Sequence, residues 1–141
     1  MALAAMVAAA GVTVGGGGVQ PQQAQASTGV YNTAWVCGPF DQGKVWVCTR
    51  VQYMKDTAYP GMRKPIHVQA QWSPASYAVN ADNVQTLAGS NWYLIGDNLP
   101  NGAWSDWAWR TPYTGATICG VRLTLDGAQD FTLTQYHSCR P

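Results

Sequence analysis

Three tryptophans, Trp104, Trp107 and Trp109, fall within six positions of one another in the stretch "NLPNGAWSDWAWRTPYTG". Asn101, Asp106, Arg110 and Tyr113 lie among them. Flat rings beside amide, carboxylate and guanidinium groups are what a sugar needs. Its axial C–H face packs on an aromatic ring while its hydroxyls exchange hydrogen bonds with the polar groups. At roughly 150–250 Å² per indole, three exposed rings would present about 450–750 Å² of apolar surface. The largest patch on a typical monomer is about 300–600 Å². The cluster is therefore either substantially buried, as core or lid, or a contact surface, and the sequence leaves both open. As a surface it would use Trp104, Trp107, Trp109 and Tyr113 as platform and Asp106 as acceptor. The ligand expected first is a polysaccharide or cell-envelope glycan. An extracellular protein is the close alternative, because Trp and Tyr are enriched at protein interfaces too.

A second constellation is "GMRKPIHV". Met62, Arg63 and Lys64 stand between Pro60 and Pro65, and prolines pre-organise a loop that must dock in an extended form. A substrate-like proteinase inhibitor would place its specificity residue there. A solvated connection between two strands explains the same residues.

Catalysis has less to stand on. A small secreted hydrolase or toxin is the third reading, and it would need an Asp or a His. Neither the Gly-x-Ser-x-Gly elbow nor a His-x-x-x-His pattern occurs. Strand parity puts His67 on a polar face and His137 on an inward one, where each reads as a hydrogen-bonded structural residue. Asp126 with Asp130, or Asp97 with Asp106, would make a carboxylate pair, but turn aspartates are common for turn reasons alone. The same aspartates with Asn98 and Asn101 offer oxygens to Ca²⁺, yet match no calcium-loop pattern. No cofactor and no metal are expected.

Composition narrows the class further. Only 11% of the 141 residues are charged, the net charge is +1, and every acid is Asp. No basic stripe exists to neutralise phosphates, which argues against nucleic acid as partner. Seven Trp and seven Tyr in so short a chain point to a tryptophan-rich β domain.

Residues 1–26 differ from the rest. "MALAAMVAAAGVTV" is apolar but too short to span a bilayer. It runs into "GGGG" and then "QPQQAQA", whose Ala24-Gln25-Ala26 is a signal-peptidase pattern. A secretory signal at 1–26 and one extracellular domain at 27–141 are expected. No Lys or Arg precedes Lys44, so a positive n-region is missing and the true start is expected upstream. Four cysteines in an exported chain predict two disulfides, and their wide spacings do not suit a zinc knuckle.

The elements that must carry these residues are strands. In "VWVCTRVQYM", Val45, Val47, Thr49, Val51 and Tyr53 share one face, with Trp46, Cys48, Arg50 and Gln52 on the other. "IHVQAQWS" alternates likewise, with Ile66, Val68, Ala70 and Trp72 inward. "NWYLIG" reads as a short buried strand, and "TICGVRLTL" with "DFTLTQYHSC" as a hairpin around "DGAQD". Setting Cys119 opposite Cys139 pairs Val121 with His137 and Leu125 with Leu133, and centres the turn on Ala128-Gln129. Setting Cys37 opposite Cys48 centres a turn on Gln42-Gly43. Neighbour pairings are thus favoured, with crossed pairings still open. "NADNVQTLAG" carries an Asn80 N-cap and a Gly89 stop, so a short helix is expected near 81–88. The fold class is all-β: a small antiparallel sandwich or barrel with two disulfides and at most one short helix.

Overall fold

The computed structural model describes residues 29–127 and 131–140. The expected signal at 1–26, the turn centre at Ala128-Gln129 and Asp130 lie outside the described residues. The chain divides into two compact units. The described part of the first is mainly the turn 55–61. There Asp56 accepts bonds from Tyr59 N at its carbonyl and from Ala58 N at Oδ1, each at 2.9 Å. Gly61 takes φ +72° beside Pro60, the left-handed position that a type II turn requires.

The second unit, 30–54 and 62–141, carries two antiparallel sheets of four strands. In the first sheet, β1 (Gly29–Asn32), β2 (Val36–Phe40) and β4 (Lys64–Ser73) all pair with β3 (Val45–Lys55). The second runs in the order β6 (Asn91–Gly96), β5 (Ala78–Ala88), β7 (Ile118–Gly127), β8 (Phe131–Ser138). Among the described residues the helical content is one 3-10 turn, Ala75–Tyr77.

The alternation expected for β3 and β4 holds. Val45, Val47, Thr49, Val51, Tyr53, Ile66, Val68, Ala70 and Trp72 are all buried. Most of them share one core with Ala81 and Val84 of β5, Val121, Leu123 and Leu125 of β7, and Leu133 of β8. Burying these side chains is worth roughly 1.5–3 kcal/mol for each large one, before conformational entropy is counted.

Both neighbour disulfides form, Cys37–Cys48 and Cys119–Cys139. Cys37 stands directly opposite Cys48 as expected. The β7–β8 register is different: Cys119 faces His137, Val121 faces Gln135, and Leu123 faces Leu133. The pairing has moved by two residues, which leaves every side chain on its expected face because the strand period is two. Cys139 therefore sits one step past β8 and reaches Cys119 diagonally, with its amide on the Thr117 carbonyl at 2.7 Å.

The expected helix at 81–88 is instead the long strand β5. Its register against β7 shifts between Ala78 and Asn80 and again between Asp82 and Gln85. Each bulge adds one residue to β5, so Ala78, Ala81 and Val84 are buried at a spacing of three. That spacing imitates one face of a helix. "NWYLIG" is a strand, β6, but not a buried one. It is the sheet edge, and Ile95 is its one fully buried residue.

Candidate functional site

β4 lies at the edge of the first sheet, and its outer backbone groups need partners. The connection 97–117 supplies them as a strap. Asn101 exchanges two bonds with the Trp72 backbone at 2.8 Å each, one from Trp72 N to Oδ1 and one from Nδ2 to Trp72 O. Gly102 N donates to Ala70 O, Ser105 N to Val68 O and Ala108 N to Ile66 O, all at 2.7 Å. Val68 N in turn donates to Ser105 Oγ at 2.8 Å. Thr111 Oγ1 donates to Pro65 O at 2.6 Å, and Arg63 and Thr114 exchange backbone bonds at 2.9 Å.

Ser105, Ala108 and Thr111 are thus pulled inward and buried. The residues between them are turned out, and the question raised by the tryptophan cluster has a divided answer. Trp107 is 46% exposed and Trp109 69% exposed. Both line a cleft of about 350 Å³ between the strap and β6, together with Asp106, Arg110, Tyr93 and Leu94. Arg110 stacks on Trp109, its Cζ 4.9 Å from the ring centre. Trp104 is half-buried, pairs with Gln69, and packs against Arg50 instead. Tyr113 is half-buried and outside the cleft lining. Of the four platform residues and their acceptor, Trp107, Trp109 and Asp106 come together; Trp104 and Tyr113 do not join them.

His67 links the two groups. Its Nδ1 lies 2.8 Å from the Ser105 carbonyl, and its ring meets Trp107 edge-on at 5.6 Å and Trp104 at 6.4 Å. The strap covers the polar face of β4 on which His67 was expected, leaving the imidazole half-buried.

Reading the sequence for clusters missed Trp35, Trp46 and Arg50, which the fold gathers on the outward face of the first sheet. Arg50 Cζ lies 4.5 Å from the Trp35 ring and 4.9 Å from the Trp104 ring, and its Nε donates to Gln69 Oε1 at 2.7 Å. Trp46 is 51% exposed and borders a hollow of about 340 Å³ with Gln71. A signal was present: strand parity put Trp46 and Arg50 on the side of β3 away from the core.

The segment Met62–Lys64 is not a protruding loop. Arg63 is buried, with Nη1 on the carbonyls of Gly115 and Ala116 at 3.0 and 3.3 Å. Lys64 is half-buried with its ammonium on Thr111 Oγ1 at 3.0 Å, and burial lowers its pKa. Met62 alone of the three is well exposed.

Of the candidate carboxylates, Asp97 serves the backbone, as does its neighbour across the turn, Asp82. Asp97 Oδ1 accepts from Asn83 N at 2.7 Å and Asp82 Oδ1 from Asn98 N at 2.8 Å. Both asparagines carry left-handed φ, 50° and 54°. Among the described residues no three His, Cys, Asp or Glu side chains converge as metal ligands would.

His137 is buried between the sheets. Thr49 donates to Gln135 Oε1, so its oxygen accepts from His137 Nε2 at 2.9 Å, and Gln135 Nε2 donates to Val47 O at 3.3 Å. On its other side, Nδ1 lies 3.4 Å from Thr33 Oγ1, which donates to the Ala34 carbonyl at 3.1 Å. Burial pushes its pKa down to about 4, opposed in part by the Ala34 carbonyl.

No protein family, curated protein or solved structure matches this chain.

Proposed function

We propose that this chain is a secreted, non-catalytic binding module that recognises a polysaccharide through the cleft of Trp107, Trp109 and Asp106. The observation that carries this reading is the outward hold on the two indoles. Their backbone is pinned to β4 at Ser105, Ala108 and Thr111, yet both rings face solvent. Together they leave about 200–300 Å² of indole exposed, and Leu94, 61% exposed, extends it. That approaches the size of the largest apolar patch on a monomer, which is often functional. A pinned platform loses little conformational entropy when a ligand arrives.

The cleft volume lies at the small end of ligand pockets, which suits one or two sugar rings better than a protein surface. Asp106 is the one carboxylate in its lining, whereas glycoside hydrolysis ordinarily uses a pair flanking the scissile bond. Two disulfides fit an oxidising, extracellular setting. No helix among the described residues is long and apolar enough to cross a membrane. The inhibitor reading loses its support because Arg63 is buried and Lys64 is tied to Thr111.

The test is calorimetric titration of the oxidised protein with a panel of soluble oligosaccharides, alongside Trp107→Ala and Trp109→Ala. Binding that weakens by on the order of tenfold in each variant, with unfolding temperatures unchanged, is the expected result. Saccharide affinity equal in wild type and both variants, or no saccharide binding, would overturn it.

A further inference from the structure

We infer that the outward face of β3 and β4 holds a second subsite, built on Arg50, for the carboxylate of an acidic sugar unit. This rests on the glycan reading above and names its ligand class. Arg50 sits between two rings that reach it from opposite sides. Trp35 comes from the β1–β2 connection, on the edge of β3 where Thr33 N donates to Val51 O at 2.9 Å. Trp104 comes from the strap beyond β4, where it pairs with Gln69. Gln69 accepts from Arg50 Nε and donates its own amide to Gly102 O at 2.8 Å. The guanidinium is therefore held by two rings and, at Nε, by Gln69.

The remaining edge is open. Nη1 and Nη2 of Arg50 donate to nothing among the described residues. Arg63 Nε is the one buried side-chain nitrogen or oxygen there without a partner, so the Nη atoms of Arg50 reach solvent. Two other arginines of the same chain show the contrast. Arg63 turns Nη1 inward onto backbone carbonyls. Arg122, stacked at 4.4 Å on Trp92, closes Nε and Nη2 on Gln85 Oε1 at 3.2 and 2.6 Å. Arg50 alone of these three holds a rigid pair of donors outward, the geometry that takes a planar carboxylate in two parallel bonds.

Charge points the same way. No Asp lies on β3 or β4, so nothing on those strands neutralises the guanidinium. Ring contacts link the subsite to the cleft: Trp104 borders His67, and His67 borders Trp107. A polymer seated on Trp107 would pass the Arg50 donors along one wall. A uronic-acid polysaccharide satisfies both, with ring faces for the indoles and a carboxylate for the fork.

The test uses the oxidised protein and two probes, oligogalacturonate and oligomannuronate, each paired with the same oligomer after reduction of its carboxyl groups to alcohols. Neutral xylo- and cello-oligosaccharides complete the set. Wild type is expected to bind at least one acid oligomer on the order of tenfold tighter than its reduced form, as a charge-assisted bidentate contact gives. Arg50→Lys keeps the charge but loses the fork, and should close that gap while leaving neutral binding unchanged. Equal affinity for acid and reduced oligomers in wild type overturns the subsite, and this comparison needs no variant. So does a gap that persists in a folded Arg50→Lys protein. Neutral oligomers bound without acid preference would keep the cleft reading and remove Arg50 from it. Failure of every oligosaccharide would remove both.

Discussion

Titrating His137 perturbs the buried contact between the sheets without touching the surface. The ring is 2% exposed and its pKa is pushed down to about 4, mainly by burial. In the unfolded chain it would titrate near 6.5. Below that value the unfolded chain takes up a proton that the folded chain refuses until about pH 4. The unfolded state binds more protons across this window, so stability is full above 6.5 and falls as the pH falls. At 1.36 kcal/mol per pKa unit, the loss is about 3 kcal/mol for this one group. The assay is urea unfolding followed by far-UV circular dichroism from about pH 7.5 to about pH 4, for wild type and His137→Gln. The variant keeps a polar side chain near Thr49 but cannot titrate, and the aspartates contribute equally to both proteins. The stability difference, wild type minus variant, should shrink by about 3 kcal/mol over that range. A difference constant within about 0.5 kcal/mol would refute the reasoning, because it would mean that the folded protein protonates His137 without cost.

Other perturbations follow from the same contacts. Ser105→Ala removes the acceptor of Val68 N, a buried amide in β4. It should cost about 1–3 kcal/mol in urea unfolding and weaken saccharide binding by loosening the Trp107 backbone. Gly120→Ala would set a Cβ 2.9 Å from the Trp92 ring and 3.3 Å from Gln135 O. A loss of about 1–3 kcal/mol should appear with a shift in tryptophan emission, as Trp92 is pushed off β7. The disulfides close 11 and 20 residues, so replacing either pair by alanine should lower stability by about 3 kcal/mol on the loop-entropy model. Unchanged urea midpoints in either double variant would contradict that.

The amino-acid sequence alone determined the all-β class and the inward faces of β3 and β4. Alternation of Val45, Val47, Val51 and of Val68, Ala70, Trp72 is a local property that needs no partner to be read. Even cysteine count and hairpin parity were enough to favour Cys37–Cys48 and Cys119–Cys139. Parity could not set the β7–β8 register, since a slip by two keeps every face and only cross-strand packing chooses between registers. Local signals also misled at β5, where Asn80 and Gly89 read as a helix cap and stop, but Asn80 lies inside a strand with two bulges and Gly89 follows its end.

The candidate site was legible in type and not in arrangement. A run with Trp104, Trp107 and Trp109 announced an aromatic surface or lid. Which rings face water depended on Ser105, Ala108 and Thr111 being drawn onto the edge of β4. That choice belongs to tertiary structure, because an edge strand satisfies its backbone groups with whatever segment reaches it. The Trp35–Arg50–Trp104 stack joins residues from the β1–β2 connection, a central strand and the strap. No spacing along the chain encodes it, because its members meet only once β3 and β4 have paired.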